Sequence, residues 1–193
     1  VLVSHKHKLV IFTLERTATA SIHFALAKYF DVEIDTMLLH IALKHVPAET
    51  FDKLIKPFLP DEYYKIAVVR EPVSRLVSLC NITHSNSIFS DWWKQHRDDP
   101  WVHQTNQLSV DGKLYLDRLF DFNRLDLFCK FLSSILKEDI KLPVFGKSSP
   151  GEIDLPKDTI KDITTQLCGD VELYKSIVDA SGELIINPYR STP

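Results

Sequence analysis

Apolar positions along this chain switch between two periods. Lys8-Leu9-Val10-Ile11-Phe12-Thr13-Leu14 is a short, β-branched apolar run, which predicts a buried strand. A small, polar stretch follows. Ile22, Ala25, Leu26, Tyr29 and Phe30 then recur at helical spacing and predict an amphipathic helix. Met37 to Ala42 reads as another strand. Pro47 suits the first turn of a helix that runs to Lys56 and stops before Pro57. Tyr64 to Val69 is the second clear buried strand, and Arg70-Glu71-Pro72 leaves it. Val73, Leu76, Val77 and Cys80 predict a second amphipathic helix. Residues 84 to 107 break the pattern and carry Trp92, Trp93 and Trp101. A strand is expected within Asp117 to Phe122, and Leu125, Phe128, Cys129, Leu132, Ile135 and Leu136 mark a strong helix. Leu142 to Pro156 reads as a loop, two helices follow near Lys157–Leu167 and Val171–Val178, and the remainder reads as a tail. Strands alternating with helices, without repeat or linker, imply one α/β domain over 1–193 with a largely parallel sheet flanked by helices.

Composition narrows the chemistry. The chain has 193 residues, 45% of them hydrophobic and 25% charged, with a net charge of −3. These are globular values, and a mildly acidic chain is a poor non-specific partner for nucleic acid. No apolar run reaches the length of a membrane span. Cys80, Cys129 and Cys168 form no CxxC pair, which argues against a disulfide framework or zinc ribbon. A cytoplasmic compartment is the expectation, or a Golgi lumen if an N-terminal anchor has been removed. Asn81-Ile82-Thr83 is a formal glycosylation sequon, read as a chance match. His5-Lys6-His7-Lys8 lacks carboxylate or thiol partners, so no metal is expected. The five glycines stand at 112, 146, 151, 169 and 182. Their absence from the first 111 residues excludes a Walker A loop, a GxGxxG fingerprint and a kinase glycine loop.

Ligands of open α/β sheets bind beyond the carboxyl ends of the strands. Two strand exits here carry polar clusters. At the first, Arg16-Thr17-Ala18-Thr19-Ala20-Ser21 opens a helix, whose free N–H groups and partial positive charge suit an anion. The plain alternative is that Thr17 or Thr19 caps the helix and Arg16 is solvated. At the second, Arg70 stands at the strand end, and Arg75 and Ser78 share one helical face expected opposite the apolar stripe. An ordinary polar helix surface is the alternative.

With these residues in view, the chain resembles the sulfotransferases that use 3′-phosphoadenosine 5′-phosphosulfate, in particular the heparan-sulfate 2-O- and bacterial carbohydrate branch. That family's first motif is close to Pro-Lys-Thr-Gly/Ala-Gly-Thr-Ser, and Glu15-Arg16-Thr17-Ala18-Thr19-Ala20-Ser21 lies in register with it. Its second motif is Arg-Asp-Pro-x-x-Arg-x-x-Ser, which Arg70-Glu71-Pro72-Val73-Ser74-Arg75-Leu76-Val77-Ser78 matches almost fully. Lys44-His45-Val46 holds the place of the family histidine. Gln104-Thr105 and Phe122 with Leu125 fall where the family has Gln-Thr and Arg-Phe-Glu-x-Leu; Asn123 stands in place of its glutamate.

The resemblance implies a P-loop-like three-layer fold and transfer of a sulfuryl group to an acceptor hydroxyl on a carbohydrate or small natural product. It also implies roles. Arg16, Thr17, Ala18, Thr19, Ala20 and Ser21 would hold the 5′-phosphosulfate, Arg70 and Ser78 the 3′-phosphate, and Lys147 and Ser148 would close over the nucleotide. His45 would accept the acceptor's proton and Arg16 would steady the growing charge, with no metal. His45 could equally be a packing residue. Trp92, Trp93 and Trp101 fit either an acceptor wall or the core. Two other functions stand as alternatives: a non-catalytic module binding a nucleotide or a partner, which the glycine-free first motif favours, and a small-molecule kinase.

Overall fold

The computed structural model describes residues 1–33, 45–59, 62–83, 89–145 and 155–193. The strand expected over Met37 to Ala42, and Lys147 and Ser148, lie outside the described residues. The elements run β1 (Leu2–Ser4), β2 (Leu9–Phe12), α1 (Thr19–Leu26), β3 (Val32–Glu33), α2 (Ala48–Leu54), β4 (Tyr64–Val69) and α3 (Pro72–Thr83). They continue with α4 (Phe89–His96), α5 (Gln104–Gln107), β5 (Ser109–Val110), β6 (Lys113–Leu114), β7 (Arg118–Asp121), α6 (Leu125–Leu136), α7 (Lys157–Gln166), α8 (Cys168–Asp179) and β8 (Glu183–Ile185).

Six strands form the main sheet in the order β3-β1-β2-β4-β7-β8. Its centre is parallel: Ile11 pairs with Ile66 across β2 and β4, and Val68 with Phe120 across β4 and β7. The edges run antiparallel, β1 against β2 and β3 on one side and β8 against β7 on the other. So the largely parallel sheet read from the sequence is parallel at its centre and mixed at its margins.

Side-chain alternation splits each central strand between two cores. Val10, Phe12, Ala67, Val69 and Leu119 pack with Phe51 of α2 and Ile177 of α8. Leu9, Ile11, Ile66, Val68 and Phe120 pack with Ile22 of α1 and with Phe128 and Leu132 of α6. Helices therefore cover both faces, and strands buried on both sides read as continuous apolar runs, as they do here. A third cluster joins α3, α4 and α7 through Leu76, Cys80, Trp93 and Ile163.

Two expectations change, and the chain's start, unassigned by the pattern, holds strand β1. The expected tail holds edge strand β8. Gly182, at φ +95°, turns the chain out of α8, and Glu183 pairs with Arg118 at 2.6 Å. An added Cβ at Gly182 would stand 2.8 Å from the Arg124 side chain, so this turn excludes other residues. Residues 89–107, patternless in sequence, contain α4 and α5. No helix among the described residues is long and apolar enough to cross a membrane.

Candidate functional site

A cavity of about 1170 Å³ opens beyond the carboxyl ends of the parallel strands. The exit of β2 supplies Glu15 to Ser21 except Thr17, the exit of β4 supplies Arg70, and the exit of β7 supplies Phe122.

The β2 exit is unusual backbone. Arg16 and Ala18 both adopt the left-handed conformation, each at φ 64°. For residues with a Cβ this costs ~1–2 kcal/mol apiece. Ala18 is the N-cap of α1, and no side chain caps that helix. The sequence reading in which Thr17 or Thr19 caps α1 is therefore corrected. Both hydroxyls turn back and donate to the carbonyl of Leu14, at 2.8 and 2.5 Å, which holds the loop in its bend. The first turn of α1 thus lines the cavity with no side chain capping its N–H groups, and the nearly buried Ser21 belongs to the same lining.

The β4 exit is built differently. Glu71 caps α3 itself, its carboxylate accepting from the N–H groups of Val73 at 3.0 Å and Ser74 at 2.6 Å. The helix end is taken, so side chains carry any anion affinity here. Arg70 donates from Nε and Nη2 to Ser74 Oγ and lies 4.6 Å over the Phe122 ring. Its Nη1 donates to the Arg16 carbonyl at 3.3 Å, and Arg16 Nε donates to Ser78 Oγ at 2.9 Å. Two motifs 54 residues apart in sequence are thus joined directly. Among the described residues neither Arg16 nor Arg70 makes an ion pair with a carboxylate. Burial lowers the pKa of both, and for Arg70 the neighbouring Arg16 charge adds to the effect. Such guanidiniums stay charged, and an anion between them would relieve the strain.

Neither Arg75 nor Ser78 sits on an exposed face opposite the apolar stripe: Ser78 is buried beneath Arg16, and Arg75 is enclosed between the strand exits. Arg75 is 1% exposed. Its Nε donates to the Glu15 carbonyl, and its Nη atoms donate to the carbonyls of Trp101 and Val102 and to the Glu15 carboxylate at 3.3 Å. It acts as a clamp between the two strand exits. Burial also raises the Glu15 pKa, partly offset by Arg75.

His45 lines the cavity, and its Nδ1 contacts the carbonyl of Thr13 at 2.7 Å. A carbonyl only accepts, so Nδ1 carries the proton and Nε2 is the basic atom. Burial pushes its pKa down to about 4 against the raising effect of the hydrogen bond to Thr13, with smaller lowering contributions from Arg75 and His23. Burial, rather than the arginines alone, keeps this imidazole neutral.

Sequence reasoning missed His23 and Asp170, and gave Gln104 and Glu15 a place in the motifs but no role. His23 of α1 lines the cavity and meets Thr13 Oγ1 at 3.4 Å; it follows Ala20 by one helical step, a signal the periodicity held. Gln104 brackets the Arg70 backbone, accepting from its N–H at 3.1 Å and donating to its carbonyl at 2.8 Å. Buried Asp170 accepts from the N–H groups of Gln104 and Thr105 and from the Thr105 hydroxyl. Glu15 completes the clamp. The tryptophans are settled as core: Trp92 and Trp93 are buried in the third cluster, with Trp101 packed against it, and none lines the cavity. Cys80 is buried there, whereas Cys129 lines the cavity wall.

No protein-family model, no curated protein and no solved structure matches this chain.

Proposed function

We propose that this chain is a P-loop-like sulfotransferase that moves a sulfuryl group from 3′-phosphoadenosine 5′-phosphosulfate to an acceptor hydroxyl. One observation carries the reading: two different anion-binding devices meet in one cavity, joined through Arg16, Ser78 and Arg70. A donor with a phosphosulfate at one end and a 3′-phosphate at the other needs two such devices. The uncapped end of α1, with Arg16 and Ser21, suits the reacting group. Backbone N–H groups there are fixed before the reaction, so they stabilise developing charge without reorganising. Arg70, backed by Gln104 and Asp170, suits the phosphate that stays unchanged, while Ser78, buried and outside the cavity lining, holds the Arg16 side chain in place. His45, with Nε2 unprotonated, suits removal of the acceptor's proton. The chemistry then rests on positioning and electrostatics, and no step calls for a metal.

Calorimetry with adenosine 3′,5′-bisphosphate and 5′-AMP tests the reading. The bisphosphate should bind more tightly by ~1.5–3 kcal/mol, the worth of charge-assisted bonds to one phosphate. Equal affinity would overturn it. In a transfer assay, His45→Gln should lower kcat by ~10²–10⁴-fold with nucleotide affinity retained. Nucleotide binding without transfer to any acceptor would instead identify a non-catalytic binding module.

A further inference from the structure

We infer that the acceptor is a small neutral phenol, a flat aromatic alcohol, rather than a charged saccharide; the inference rests on the sulfotransferase reading above. The cavity exceeds the ~300–1,000 Å³ usual for a single small-molecule site, so it has room for an acceptor beside a donor. Its far wall is apolar. Leu79 and Ile82 of α3, Leu125 of α6 and the segment from Leu142 to Phe145 supply it. Among the described residues, four of the ten large hydrophobic side chains that stand exposed, Phe24, Ile82, Val144 and Phe145, line this one cavity. Phe24 and Phe145 meet edge to face at 5.1 Å, an arrangement that leaves ring faces open to a third ring. Soluble domains seldom concentrate exposed apolar surface without a ligand for it.

Charge points the same way. Among the described lining residues the only guanidinium or ammonium groups are Arg16 and Arg70, both used by the donor, and the remaining charged groups are Glu15 and Asp126. Among the described lining residues, a uronate- or sulfate-bearing saccharide would meet carboxylates, imidazoles and hydrocarbon, and no guanidinium or ammonium group beyond the two that the donor uses. The base fits as well. His45, held at about 4, is a weak proton acceptor. A phenol ionises near ~10, as the tyrosine side chain does, whereas an alkyl hydroxyl lies nearer water at ~15.7. A weak base is matched to the more acidic hydroxyl. The phenolic oxygen bonds to sulfur as the bond from sulfur to the 5′-phosphate oxygen breaks, and that oxygen keeps the electron pair. The phenolic proton passes to Nε2 of His45. The products are an aryl sulfate and adenosine 3′,5′-bisphosphate.

The test is calorimetry on protein saturated with adenosine 3′,5′-bisphosphate, titrated with 2-naphthol and, separately, with an N-sulfated, uronate-containing disaccharide. Naphthol should bind at least tenfold more tightly. Ile82→Asp, an exposed position on the cavity rim, should weaken naphthol about tenfold and leave nucleotide affinity as it was. Nucleotide binding with naphthol no tighter than the disaccharide, or naphthol binding indifferent to Ile82→Asp, overturns the phenol inference alone. Failure of the nucleotide itself to bind overturns the sulfotransferase reading and this inference with it.

Discussion

The two strand exits solve one problem in opposite ways. After β2 the chain enters a left-handed bend at Arg16 and Ala18 and leaves the start of α1 uncapped. After β4 the chain enters α3 through Pro72, and Glu71 fills the helix end with its own carboxylate. The first exit carries backbone strain and open donors. The second is relaxed and self-satisfied, and offers a side-chain cation. Orphan N–H groups cost free energy unless a partner arrives, and under the proposed function an uncapped helix beside a strained loop would be kept ready for a ligand. An exit capped by its own carboxylate would repel an anion from the helix axis, and on the same proposal Arg70 would supply the contact instead.

Breaking the clamp between the exits should have the largest effect. Arg75→Met removes a buried cation and strands the Trp101, Val102 and Glu15 oxygens it serves. Urea unfolding should show a loss of about 3–5 kcal/mol. A loss under 1 kcal/mol would mean the exits are held together by other contacts.

The next pair separates the exits by function. In the proposed reaction Arg16 would face charge that grows in the transition state, so Arg16→Ala should lower kcat by ~10²–10³-fold. Arg70→Ala should chiefly raise the donor KM, by the equivalent of ~1.5–3 kcal/mol, because its phosphate does not change during the reaction. Steady-state kinetics that interchange the two effects would reverse the assignment of the exits.

A pH experiment sharpens the role of the first exit. The folded His45 pKa of about 4 lies below its ordinary 6.5, so the unfolded chain binds an extra proton between those values. Stability from this group is complete above pH 6.5 and declines as pH falls towards 4, by about 1.4 kcal/mol per pH unit at most. Glu15, raised by burial, pulls in the opposite sense in acid. The difference between wild type and His45→Gln isolates the histidine; equal slopes for the two proteins would show that His45 is not buried as a neutral base.

The smallest effect is on the strain itself. Ala18→Gly relieves the Cβ at φ 64° and should raise stability by about 1 kcal/mol in thermal unfolding. No gain would show the bend to be unstrained.

Much of the frame was legible in the chain. Leu9–Phe12 and Tyr64–Val69 are apolar without alternation because both faces of a central strand are covered, and that pattern is local. The second strand exit was legible too, since an Arg, a Pro and a helix-spaced Arg and Ser occur within nine residues. Edge strands were hidden. β8 has three residues, and its stability comes from pairing with β7 and from the Arg118–Glu183 bridge. α4 and α5 were hidden because Trp92 and Trp93 are buried by α3 and α7, a partner no local window contains.

Within the site, sequence alone set which residue types stand at each strand exit, and that the first exit has no glycine. Tertiary structure decided their work. Thr17 and Thr19 could cap a helix by type, yet the bend directs both to Leu14. Arg75 could have been solvated by spacing, yet it is the most buried cation of the site because Glu15 and the adjacent Trp101 and Val102 converge on it from two other segments. His45 gains its basic Nε2 only from the carbonyl of Thr13, 32 residues away. Hydrogen-bond partners and burial are properties of neighbours in space, and a side chain's chemistry follows them as much as its own identity.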